Sequence, residues 1–173
     1  PTLATRFAKY ETDFHLAWEQ NGKIKYCRMN KDGAGSLTFS PITTPSDGAG
    51  YSGYHSPSII ATDDNKPRLT WLTGNIAFYR TMNSSGSWST IYSYHGWDQA
   101  DNISINKTGD DEFAFAFSDM FGEFNNYVNS RNLSSYSRLN TTGKYLQVCN
   151  GNSSDTEVKA IVYKNNTFSQ SNP

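Results

Sequence analysis

Residues 16 to 30, LAWEQNGKIKYCRMN, and residues 69 to 83, LTWLTGNIAFYRTMN, carry one short pattern twice: an alternating apolar run, a glycine turn, and a second alternating run. Leu16 answers Leu69 and Trp18 answers Trp71. If the two turn glycines are brought into line by a one-residue slip, Gly22 answers Gly74, Ile24 answers Ile76, Tyr26 answers Phe78 and Arg28 answers Arg80. A unit this small cannot bury its apolar face alone, so copies must pack on one another, and that requirement limits the fold to repeat architectures.

Further copies lie downstream. Phe115, Phe117 and Phe124 repeat the places of Leu69, Trp71 and Ile76, and Ile161, Tyr163 and Phe168 repeat them again. The steps are 53 (69 − 16), 46 (115 − 69) and 46 (161 − 115). Spacings of roughly 40 to 55 residues with only strands between them predict a β-propeller of four-stranded antiparallel blades. Inner strands are expected at 3–10, 57–62, 101–106 and 145–149, and outer strands at 37–43, 87–93 and 134–140, the last blade stopping before its outer strand. The fold class read from the sequence is therefore all-β, with about four blades at 1–48, 49–98, 99–142 and 143–173, the last incomplete. Composition agrees. At 14% aromatic and 18% charged, and rich in Ser, Thr, Asn and Gly, the chain suits short strands joined by polar turns and offers little for long helices.

The details resemble the sialidase-like, or BNR/Asp-box, β-propellers over almost the whole chain. The resemblance rests on the H-x-P-x-I run at His55, Pro57 and Ile59, the L-x-W strand at Leu69 and Trp71, the I-x-x-Y-R strand at Ile76, Tyr79 and Arg80, and SSGSW from Ser84 to Trp88. SSGSW looks like an Asp-box turn with Ser84 or Ser85 in the aspartate's place, whereas KDGAGSLTF in the first blade keeps Asp32 and the aromatic Phe39 at altered spacing. Such hairpins occur in enzymes, lectins and scaffolds alike, so the resemblance implies a fold rather than an activity. The family's rings have more blades than this chain supplies. A fragment, or an arc completed by further blades of the same chain or by a homo-oligomer, is expected.

Several functions are disfavoured. Formal net charge is −1 with basic residues scattered, so no nucleic-acid footprint is visible. No apolar run is long enough for a spanning helix, and no membrane insertion is expected. The histidines (His15, His55, His95) and cysteines (Cys27, Cys149) lack zinc-ligand spacing, TDDNKP at 62–67 reads as a hairpin turn, and no metal or cofactor is expected. Cys27 falls on a third strand and Cys149 on an inner strand, an offset beyond disulfide reach, so both are expected as free thiols. The family grips a substrate carboxylate with three arginines. Here Arg28 and Arg80 fall on third strands and Arg6 has no matching pair, which predicts structural roles. No catalytic set with supporting spacing can be picked out, and the chain reads as a non-enzyme more than as an enzyme. Seven Asn-x-Ser/Thr sequons (Asn83, Asn102, Asn106, Asn132, Asn140, Asn152, Asn165) favour a secreted or cell-surface protein.

What breaks the repeat cannot be explained by it. Trp97 has no counterpart in other blades and stands in YSYHGWDQAD, a loop between an outer strand and the next inner strand. Tyr94, His95, Trp97 and Asp98, with Tyr51, Tyr54 and His55 from the preceding loop, combine stacking rings with imidazole and carboxylate groups suited to a sugar. The expected function is an extracellular recognition or scaffold module binding a glycan or surface protein. The alternatives are a glycoside hydrolase fragment whose catalytic residues lie mainly in other blades, and a structural element of a surface filament or layer.

Overall fold

The computed structural model describes residues 6–96, 98–109, 111–121, 125–139, 144–149, 159–164 and 167–171. The first antiparallel sheet contains β1 (Arg6–Tyr10), β2 (Asp13–Gln20), β3 (Lys23–Lys31) and β4 (Leu37–Phe39). The second contains β5 (His55–Ala61), β6 (Pro67–Thr73), β7 (Ile76–Thr81) and β8 (Tyr92–His95). The third contains β9 (Ala100–Lys107), β10 (Phe113–Asp119), β11 (Asn125–Asn129) and β12 (Asn132–Leu139). A three-stranded sheet follows: β13 (Lys144–Cys149), β14 (Lys159–Lys164) and β15 (Thr167–Ser171). In each sheet the strands lie in chain order, and the described residues contain no helix.

The strands expected as inner are found as the first strand of each sheet. Two of the expected outer strands are displaced. Expected at 87–93, β8 begins only at Tyr92, because Trp88 instead forms an isolated bridge with Met82. Expected at 37–43, β4 ends at Phe39, and Thr43 pairs alone with Tyr26.

Successive sheets pack face to face, and period-2 alternation assigns each residue to a face. Leu16, Leu69 and Phe115 hold one register place, opposite Phe7, Ile59 and Ile105 of the respective first strands. Leu69 and Trp71 face the first sheet, where they meet Ala17, Ile24 and Tyr26. Phe115 and Phe117 likewise face the second sheet and meet Leu72, Ala77, Tyr79 and Tyr94. Ala114, Ala116 and Tyr127 point the other way, onto Val148. Across each of the first two interfaces, the large pair of the later sheet meets a mixed face of the earlier one: Ala17, Ile24 and Tyr26 in the first sheet, Leu72, Ala77, Tyr79 and Tyr94 in the second.

The expected slip at the turn is absent. Gln20 pairs with Lys23 and Thr73 with Ile76, so both turns hold two residues and the offset stays at 53 (79 − 26) across them. In Asn21-Gly22 both residues have positive φ (53° and 67°), as a type I′ turn requires. In Gly74-Asn75 only the glycine does (51°), as in type II′. The glycine changes place because the turn changes type, and aligning glycines misplaces everything beyond. Tyr26 therefore answers Tyr79, not Phe78, and Tyr127 completes the series opposite Ala17, Thr70 and Ala116. A Cβ at Gly74 would meet nothing within 4 Å, so Gly74→Ala isolates the backbone cost. We expect a loss of about 1 kcal/mol by urea denaturation, with Gly74→Asn milder because asparagine tolerates positive φ.

Trp18 and Trp71 hold the same register place but not the same surroundings. Trp71 is fully buried and Trp18 half-buried, since among the described residues no strand covers the face of the first sheet that Trp18 shares.

Candidate functional site

The loops singled out by the sequence meet at one end of the second sheet, but not as a single site. His55, Leu72, Ala77 and Tyr94 form a row across the four strands, which puts His55 and Tyr94 about 14 Å apart at ordinary strand spacing. Tyr54 is only 1% exposed, set edge-on to Trp71 and Phe78, and its hydroxyl accepts from the Tyr51 N–H at 2.9 Å. Tyr94 is 4% exposed, packs on Phe115 and donates to the Leu133 carbonyl at 2.8 Å. These two rings are core. Tyr51, His95 and Asp98 are exposed; His55 is half-buried beside Ser56, and burial lowers its pKa despite Asp101 and Glu19. Trp97 lies outside the described residues.

Other sequence readings find structural work. Arg80 donates to the carbonyls of Ser89 (2.5 Å), Pro45 (2.7 Å) and Asp47 (3.3 Å), and Arg28 pairs with Asp13 at 2.5 Å. TDDNKP contains the hairpin loop between β5 and β6, where Asp64 accepts from Thr62 Oγ1, the Lys66 N–H and Lys66 Nζ. Burial raises the Asp64 pKa, but these bonds and Arg68 bring it down to about 2. The Cys27 thiol is free and buried, donating to the Ser40 carbonyl at 3.3 Å. In the SSGSW turn the capping acceptor is Asn83 rather than Ser84 or Ser85. Asn83 Oδ1 accepts from the N–H groups of Ser85 (3.1 Å) and Ser87 (2.9 Å), as Asp32 Oδ1 does from Ala34 (2.9 Å) and Ser36 (2.8 Å). Trp88 then packs edge-on against Tyr26 at 5.0 Å and donates to Thr43 Oγ1 at 3.0 Å.

At the opposite end of the sheets, a cleft of about 430 Å³ opens between the second and third. That lies within the roughly 300 to 1,000 Å³ of small-molecule sites. The repeat makes the cleft, and a change within the repeat gives the cleft its chemistry. The tyrosine of the third strand recurs, but His15 of the first sheet is replaced at the same register place by Arg68, opposite Ile60. Arg68 Nη1 donates to Thr81 Oγ1 at 2.8 Å, its guanidinium lies 5.2 Å from the Phe113 ring centre, and its buried Nε finds no acceptor among the described residues. Tyr79 stacks on Phe113 at 4.9 Å, and burial, only partly opposed by Arg68, pushes its pKa up to about 12, so it remains a neutral phenol. Tyr92 stands exposed beside it, with ring centres 6.0 Å apart.

The third sheet supplies the facing wall. Arg131 forms a two-bond fork with Glu112, Nε to Oε1 at 2.9 Å and Nη2 to Oε2 at 3.0 Å. Ser130 and Asp111 complete it. Two arginines thus face two carboxylates, so the lining has no net charge to select an ion. It offers ring faces, hydroxyls and planar donor and acceptor groups. The sequence signal that leads here is the tyrosine series, which the misaligned turn concealed.

No protein family model matches the chain, and no curated protein matches it. Among the described residues, no group of three or more His, Cys, Asp or Glu side chains could hold a metal ion, and no helix is long and apolar enough to cross a membrane.

Proposed function

We propose that the four sheets are consecutive blades of a sialidase-like β-propeller, displayed outside the cell, and that the chain recognises a carbohydrate in the cleft between the second and third sheets without catalysing its turnover. The observation that carries the reading is the meeting of the exposed Tyr92 ring with the Arg68 guanidinium and the Arg131–Glu112 fork in one uncharged concavity. A pyranose presents an apolar C–H face to stack on a ring and a rim of hydroxyls to pair with planar polar groups. The matching side-chain-capped turns at Asp32 and Asn83 support the propeller plan. The sequons Asn83 and Asn132 are exposed, which suits a displayed surface, whereas Asn106 is half-buried with its amide on the Val148 carbonyl at 3.1 Å.

A glycan array probed with the chain and its Tyr92→Ala and Arg131→Ala variants tests this reading. Each variant should weaken binding about tenfold or more with an unchanged circular dichroism spectrum. Tyr51→Ala and His95→Ala, at the far end of the sheet, should bind like the parent. A parent chain that binds no glycan, or a Tyr92→Ala variant that binds as well as the parent, refutes the proposal.

A further inference from the structure

The loops that join the first and second strands of the second and third sheets are copies of one another. Thr62, Asn65 and Lys66 recur 46 residues later as Thr108, Asp111 and Glu112, the same step that carries Leu69 to Phe115 (115 − 69). The Thr62 N–H donates to the Lys66 carbonyl at 3.4 Å and the Thr108 N–H to the Glu112 carbonyl at 3.0 Å, so both loops close in one way. Asn65 and Asp111 share a left-handed backbone, with φ of 53° and 51°. What stands at this place in one interface therefore shows what the fold accommodates there in the next.

In the first interface the chain fills the place itself. Asn65 lays its carboxamide against the first sheet, where Oδ1 accepts from His15 Nε2 at 3.0 Å and Nδ2 donates to Asp13 Oδ2 at 2.5 Å. A planar amide thus spans a donor on one side and a carboxylate on the other. In the second interface the donor persists, because Arg68 takes the register place of His15. The amide does not. Asp111 turns Oδ1 to the Asp64 N–H at 3.1 Å, no bond joins it to Arg68 among the described residues, and the buried Arg68 Nε finds no acceptor there. Arg68 and Asp111 both line the cleft, so the place that Asn65 closes one sheet earlier is open to a ligand here.

A ligand that restores the missing group needs a carbonyl oxygen for Arg68 and an N–H for a carboxylate. Asp111 Oδ2 makes no bond among the described residues and can accept that N–H. A ligand carboxylate suits the place less well. Asp64 already pairs with Arg68 at 3.4 Å, and Asp111 and Glu112 line the same cleft, so a further negative charge would be repelled. We infer that the sugar bound in the cleft is an N-acetylated one, its acetamido group standing where the Asn65 carboxamide stands in the preceding interface, with the carbonyl on Arg68 and the N–H on Asp111. This rests on the reading of the cleft as a carbohydrate site and narrows that reading to one class of sugar.

The glycan array tests it through pairs of glycans that differ only in bearing an acetamido group or a hydroxyl at one carbon. The acetamido member should bind about tenfold or more tighter, the worth of a hydrogen bond to a charged group. Asp111→Asn keeps an acceptor for the Asp64 N–H and tolerates the positive φ, but sets an NH2 where Oδ2 stood, donor facing donor. It should bring the ratio within each pair to about one, with an unchanged circular dichroism spectrum. A parent chain that binds sugars without preferring the acetamido member overturns the inference and leaves the carbohydrate reading standing. An Asp111→Asn variant that keeps the parent's ratio, whatever its absolute affinity, does the same. A parent chain that binds no glycan overturns both.

Discussion

Trp71→Ala lowers stability by about 3 to 5 kcal/mol, a large part of the roughly 5 to 15 kcal/mol that holds a domain of ordinary size together. The indole is fully buried between the first two sheets, stacked on Phe78 at 5.5 Å with an interplanar angle of 12° and met edge-on by Tyr54 at 6.5 Å. Across the interface stands Ala17, too short to fill the space that truncation leaves. The loss thus combines the transfer term with a cavity term.

Trp71→Phe distinguishes apolar packing from any polar role of the ring. The indole N–H is buried and meets no acceptor among the described residues, so its removal sacrifices no hydrogen bond seen there. Phenylalanine should recover most of the stability lost in the alanine variant. Trp18→Ala, at the equivalent but half-buried position, should cost well under half as much in the monomer. Urea midpoints with unchanged slopes read all three. Equal losses at the two tryptophans would mean that the open face of the first sheet is already covered.

The strands were legible because they are written in two-residue alternation and repeated. Leu16, Leu69 and Phe115 stand in one register place, as their spacing requires. What alternation cannot convey is which glycine position a turn uses. Asn21-Gly22 and Gly74-Asn75 both turn in two residues through different φ combinations, and anchoring on the glycine displaced the second half of the hairpin by one residue. A displacement of one reverses every side chain's face, so it hid Tyr26, Tyr79 and Tyr127 as a series.

The candidate site was less legible for a related reason. Tyr54 and Tyr94 are as suited to a sugar, by residue type, as Tyr92 is; only burial separates them, and burial depends on how far along each strand the neighbouring sheet reaches. Tyr94 and Tyr92 share the face of β8 turned to the third sheet, and position along the strand separates them: Tyr94 packs on Phe115, while Tyr92 stands exposed beside Tyr79. Arg68 and Arg131 are 63 residues apart (131 − 68) on different sheets, and nothing local marks them as neighbours.

Acidification should destabilise the fold in two stages, each drawing on the contact between the first sheet and the loop joining β5 to β6. Asn65, held at φ +53°, reaches from that loop into the first sheet. Its Nδ2 donates to Asp13 Oδ2 at 2.5 Å while its Oδ1 faces His15 Nε2 at 3.0 Å. An amide oxygen only accepts, so Nε2 carries the proton, and the bare Nδ1 then accepts from the Tyr26 hydroxyl at 2.8 Å. A second proton on the ring would turn Nδ1 into a donor aimed at that hydroxyl. Burial accordingly lowers the His15 pKa, with Arg28 adding to the effect and Asn65 and Asp13 opposing it. Burial would raise the Asp13 pKa, but the Asn30 and Asn65 amides and Arg28 outweigh it and hold the carboxyl below its ordinary value.

Both shifts have one sign. Each group binds its proton more weakly folded than unfolded, so its contribution is complete above the unfolded pKa and is lost as pH falls toward the folded one. His15, joined by His55, should begin to cost stability below about pH 6.5, and Asp13 with Asp64 below about pH 4. Asp13→Ala removes the acceptor of two amides and a guanidinium and should cost about 2 to 4 kcal/mol near neutrality. That penalty should shrink as pH falls through the parent carboxyl's own lowered pKa. His15→Gln should flatten the slope between pH 7 and 5.5 without removing it, because His55 still titrates there. Urea unfolding across this range measures both slopes; a parent whose stability holds level from pH 7 to 5 would show that neither histidine is neutral by constraint.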